Sequence, residues 1–91
     1  MRYQIIARRM SPLDSRDFQH IVAVQWRANG SVGQHSRDQM VTAIESGHTA
    51  YVQGSASQSE VGVFKSSNGV KYLRTYANGH WDDNLLSLPT F

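Results

Sequence analysis

Tyr72, Arg74 and Tyr76 alternate along the chain, and alternate residues of an extended segment share one face. An aromatic-arginine-aromatic stripe can stack nucleobases and neutralise phosphate, the chemistry by which single-strand binders hold nucleic acid. Trp81 lies just beyond the stripe, beside His80. The plainer reading of the same residues is cross-strand aromatic pairing, with Arg74 bonded to Asp82 or Asp83. The weight falls on the plainer reading, because a net charge of +2 is far below a nucleic-acid binder's basic footprint.

The other reactive side chains form no catalytic pattern. Asp82 and Asp83 are adjacent, and adjacent carboxylates on an extended chain point apart, which suits neither paired acid–base work nor metal binding. His20, His35, His48 and His80 are far apart in sequence; His80 and Asp82 could share a strand face, but a zinc site takes three or four ligands. Gly30-Ser31-Val32-Gly33 is a two-glycine loop, a weak phosphate-binding signal, and Trp26 reads as core or interface. No serine sits in a nucleophile elbow, and there is no P-loop or dinucleotide fingerprint. The expectation is a chain without catalytic residues, metal or cofactor.

Charge is unevenly spread. Residues 1–37 carry +4 and residues 38–91 carry −2, so two copies could complement each other across a two-fold axis. There is no cysteine, which suits a reducing, cytoplasmic setting and leaves stability to packing. No apolar run approaches the roughly 20 residues that span a bilayer, and no apolar core follows Met1-Arg2-Tyr3-Gln4, so neither membrane nor leader is expected.

These side chains need a scaffold, and 91 residues provide for one domain, 1–91. The pattern predicts strands over Tyr3–Arg8, His20–Arg27, His48–Gln53, Glu60–Lys65 and Val70–Thr75. Apolar residues on both faces mark the second as central, and Asn68-Gly69 marks a hairpin between the last two. Ala28–Gln34 reads as a loop and Gly54–Ser59 as a polar turn. One helix is predicted over 37–46, with Ser36 and Gln39 as a capping box, Met40, Val41, Ala43 and Ile44 as its apolar stripe, and Gly47 as its left-handed terminator. The result is an α+β fold: a small, mainly antiparallel sheet of about five strands, in the order β-β-α-β-β-β, with the helix on one face. Leu73 then points at the helix and the stripe points outward. Asp83 and Asn84 cap a turn, after which Leu85, Leu86 and Leu88 form a clasp against the sheet, ended by Pro89.

Tyr72-Leu73-Arg74-Thr75, Asn78-Gly79 and Asp83-Asn84-Leu85-Leu86-Ser87-Leu88-Pro89 together resemble the signature of a family of small bacterial and phage-associated proteins of unknown function. Tyr3 to Ala7, His20-Ile21-Val22-Ala23-Val24 and Ile44-Glu45-Ser46-Gly47-His48 resemble it too, so the likeness spans most of the chain. The resemblance implies an identity and no activity, and it carries over no site residue. The expected function is a non-catalytic module for protein–protein interaction, with an unknown protein partner or in a weak homodimer through an exposed sheet edge. Tyr51, Phe64, Trp26 and Trp81 support this, being more aromatic surface than a core facing one helix absorbs. The alternative is weak single-stranded nucleic-acid binding through Tyr72, Arg74, Tyr76 and Trp81.

Overall fold

The structure is a computed structural model that describes residues 1–55 and 57–91; Ala56, in the turn predicted over 54–59, lies outside the described residues. The strands are β1 (Arg2–Met10), β2 (Ile21–Ala28), β3 (Ser31–Ser36), β4 (Thr49–Gln53), β5 (Gln58–Lys65), β6 (Lys71–Ala77) and β7 (His80–Asp82). The helix α1 spans Arg37–Glu45, and short 3₁₀ turns lie at Phe18–His20 and Leu85–Ser87. The fold is thus a small, mainly sheet domain with one helix, but its sheet has seven strands where about five were expected.

Both additional strands follow from Asn-Gly turns. Asn29-Gly30 and Asn78-Gly79 have positive φ at both residues (50° and 79°; 52° and 78°), which matches a type I′ turn and the twist of a tight hairpin. The first turn folds β3 back on β2, and the second folds β7 back on β6. Ser31-Val32-Gly33-Gln34-His35-Ser36 has little strand propensity, so its hairpin comes from the turn rather than the strand. The expected loop over 28–34, and with it a phosphate-binding Gly30–Gly33 segment, is replaced by this hairpin.

The sheet order is β3-β2-β1-β4-β5-β6-β7. Every pairing is antiparallel except β1 with β4, where Arg2, Tyr3 and Gln4 run parallel to Thr49, Ala50 and Tyr51. A parallel neighbour requires a crossover, and α1 lies within it, crossing one face of the sheet. The first strand is therefore internal, third of seven with β4 at the middle, and β2 is internal as its two apolar faces predicted.

The helix matches its predicted start. Ser36 Oγ accepts from the Gln39 N–H at 3.1 Å, and Gln39 Oε1 accepts from the Ser36 N–H at 2.9 Å. It ends one residue early, at Glu45; Gly47 has φ +105°, and the His48 and Gly47 N–H groups close on the Ala43 and Ile44 carbonyls. Met40 and Val41 enter a core with Tyr3, Ile5, Val24, Val52, Val61, Leu73 and Leu85, while Ala43 and Ile44 flank it. Alternation along β6 puts Leu73 and Thr75 wholly inside and leaves Tyr72, Arg74 and Tyr76 on the other face.

Candidate functional site

The outer face of β5, β6 and β7 gathers the predicted stripe. Register sets Phe64 opposite Tyr72, Gly62 opposite Arg74, and Tyr76 opposite both Glu60 and Trp81. The rings meet edge to face: Phe64–Trp81 at 4.6 Å and 84°, and Tyr76–Trp81 at 6.0 Å and 81°, with Phe64–Tyr72 tilted at 6.3 Å. Such pairs add about 0.5–1.5 kcal/mol each beyond area burial. Gly62 leaves the space they use, since a Cβ there would lie 3.0 Å from both the Phe64 and the Tyr76 ring.

Arg74 sits between rings rather than on a carboxylate. Its guanidinium carbon is 4.8 Å from the Trp81 ring centre and 5.4 Å from that of Phe18. The expected bond to Asp82 or Asp83 is not formed, and Nε is buried without a hydrogen-bond partner among the described residues. Tyr72 is half-buried and packs against the core. Trp81 and Tyr76 remain open, at 55% and 37% exposure. All four predicted residues therefore share one surface, with the outermost two accessible. Phe64 was legible from the Asn68-Gly69 register, whereas nothing near Phe18 in sequence announces its place beside Arg74.

Beside this patch, Arg2 pairs with Glu60 at 2.9 Å, reaches Thr49 Oγ1 at 3.1 Å and lies 4.4 Å above the Tyr51 ring. One link between the basic first third and the acidic remainder is thus made within the chain.

The inner side of the same strands is polar and fully satisfied around Asp82. Ser59 and Thr75 are wholly buried; Ser59 Oγ donates to the Asp82 carboxylate, and Thr75 Oγ1 donates to its carbonyl at 3.0 Å. The Asn84 N–H donates to Asp82 Oδ1 at 3.0 Å, and Asn84 Nδ2 donates to Ser59 Oγ at 2.6 Å. Burial pushes the Asp82 carboxyl up, but bonds from Ser59, Thr75 and the Asn84 N–H outweigh it and hold it below the ordinary aspartate value. The capping residue is therefore Asp82, one position before the expected pair. Asn84 makes no side-chain cap and Asp83 is exposed. The reason is parity: Asp82 pairs with inward-facing Thr75, so its side chain enters the interior.

The leucine clasp is present. Leu85 and Leu86 are buried, and Leu88 packs against the core. Arg8, itself buried, fastens it: Nη1 donates to the Leu88 carbonyl at 2.9 Å, and the Arg8 N–H donates to Pro89. Burial, and then the charge of Arg16, lower the Arg8 guanidinium below its usual value. Sequence gave no sign that an arginine would be internal.

A groove of about 700 Å³ runs between α1 and the sheet, lined by Tyr3, His35, His48, Asp38 and Thr42 among others. It brings together two histidines that are distant in sequence, with His35 at 5.4 Å and His48 at 6.0 Å from the Tyr3 ring. Trp26, 4.9 Å from Tyr3, donates its indole N–H to His35 Nδ1. Among the described residues, no three histidine, cysteine or acidic side chains are placed to share a metal ion, and no helix is long and apolar enough to cross a membrane.

A family model described as "Protein of unknown function (DUF3892)" matches residues 4–89. Neither a curated protein nor a solved structure matches the chain. The chain belongs to the DUF3892 family.

Proposed function

We propose that this domain is a non-catalytic protein-interaction module whose contact surface is the aromatic patch of Trp81, Tyr76 and Phe64 around Arg74. One observation carries the reading: a tryptophan 55% exposed is held in place by two rings and a guanidinium. Tryptophan, tyrosine and arginine dominate the energetics of protein interfaces. Rings already fixed by one another lose little rotamer freedom on binding, so their burial is spent on affinity. The Asp82 network and the leucine clasp keep β7 in position beneath the patch, which supports residues 72–89 as the family's signature. The same resemblance supports a bacterial or phage origin, and the absence of cysteine is compatible with the cytoplasm.

Single-stranded nucleic acid is the second reading, favoured by Trp81 and Tyr76 flanking a cation. Arg74 weakens it, because rings occupy its surroundings and leave less of the guanidinium for phosphate. The two separate in one experiment. Immobilised wild-type chain should retain a nuclease-insensitive protein from its own cells that Trp81→Ala does not retain. In parallel, a labelled single-strand oligonucleotide at two salt concentrations should show no binding that depends on Trp81 or Arg74. Oligonucleotide binding lost in Trp81→Ala, with a salt slope reduced by roughly one unit in Arg74→Ala, would transfer the patch to nucleic acid.

A further inference from the structure

We propose that β3 is a self-pairing edge, through which two copies of the chain join into one continuous sheet about a two-fold axis at Gly33. The proposal goes beyond the aromatic patch, which lies on strands at the other end of the sheet order.

Strand β3 ends the sheet, so its outer backbone groups have no strand partner. Which groups these are follows from the turn. Ala28 and Ser31 close the Asn29-Gly30 hairpin and bond to each other across it. Antiparallel alternation then turns the N–H and C=O of Gly33 and His35 toward β2, and those of Val32 and Gln34 outward. Pairing with β2 runs through six residues without a bulge. Natural edges are blunted by charge, proline, bulges or brevity. The other edge, β7, is only three residues long, whereas β3 has six residues and no charged residue or proline.

A second copy fits this edge reciprocally. With the axis at Gly33, Val32 of each copy meets Gln34 of the other, and the outward groups make four backbone hydrogen bonds. A register centred on Gln34 would require Ser36, whose N–H already goes to Gln39 Oε1 at 2.9 Å. Two glycines at the axis form the closely spaced, non-bonded pair of an antiparallel ladder, about 4.5 Å between Cα atoms. Glycine is needed here for a second reason: a Cβ on Gly33 would collide with the Trp26 ring, which lies over it. The two Trp26 rings therefore approach across the axis and add apolar contact to the ladder. On the other face Val32, 57% exposed, is covered by Gln34 of the second copy. Ser31 of that copy stands opposite His35, whose Nδ1 accepts from the Trp26 indole N–H. An uncharged edge meets its own copy without like charges in opposition.

Sedimentation equilibrium tests this. The wild-type mass should rise with concentration from 10.2 kDa toward twice that value. Val32→Lys should stay at one chain over the same range, and Trp81→Ala should associate like the wild type. Amide exchange gives a second readout that needs no variant. Protection of Val32 and Gln34 should grow with concentration, while Ser31, Gly33 and His35 stay protected throughout. A wild-type mass of one chain up to about millimolar, the weak end of the affinity scale, overturns the proposal. So does a dimer that survives Val32→Lys while the Val32 and Gln34 amides exchange freely.

Discussion

Asp82 shows how one side chain's direction decides its role. It follows Trp81 in β7, so the two face opposite ways: one toward the exposed patch, the other into Ser59, Thr75 and Asn84. The sign of its pH effect follows. The folded chain holds the carboxyl below the ordinary value of 3.8, so the unfolded chain binds this proton more tightly. The stabilisation is complete above that ordinary value and is lost as pH falls through the lower folded one. Asp82→Asn should lower the melting midpoint at pH 7 and flatten the acid limb of the stability curve; an unchanged acid limb would mean the network does not favour the charged form. Ser36 gives a neutral comparison. Ser36→Ala removes the hydroxyl that accepts from Gln39 N–H and should cost about 1 kcal/mol in urea unfolding.

At the scale of elements, the segment after β7 behaves as part of the fold. Its 3₁₀ turn buries Leu85 and Leu86, its backbone meets β1 at Arg8, and Leu85 N–H donates to Thr75 Oγ1 at 3.3 Å. Leu86→Ala should cost about 2–5 kcal/mol, enough to unfold a large fraction of a domain this size, and amides 83–89 should exchange with the core strands. Fast exchange there in the native state would make the segment a tail. The helix and the leucine clasp were legible because their signals are local: a capping box, a left-handed glycine, three leucines before a proline. Strands β3 and β7 were missed although their Asn-Gly turns were in plain sight. Ser31–Ser36 and His80–Asp82 have weak strand propensity, and only the turn conformation marks them.

At the scale of the whole molecule, the sheet order was not legible, because the β1–β4 pairing depends on α1 crossing the face and no residue of Tyr3–Ala7 records that neighbour. The Tyr72, Arg74 and Tyr76 stripe was legible from period two, whereas Trp81 joins it only through the β6–β7 hairpin and the approach of Phe18 to Arg74 is long-range, so neither was legible. The assembled molecule puts Trp81 on an open outer face with its supporting network beneath. Trp81→Ala should therefore leave the chain folded, losing about 0.5–1.5 kcal/mol for each aromatic pair removed, while abolishing partner capture. The most direct test places a photoreactive benzoylphenylalanine at position 81 and, as a control, at exposed Leu13, in the cells that make the protein. Position 81 should give a light-dependent, nuclease-resistant protein adduct that is absent from position 13. No adduct above the Leu13 level, or one that nuclease removes, would exclude the patch as a protein contact.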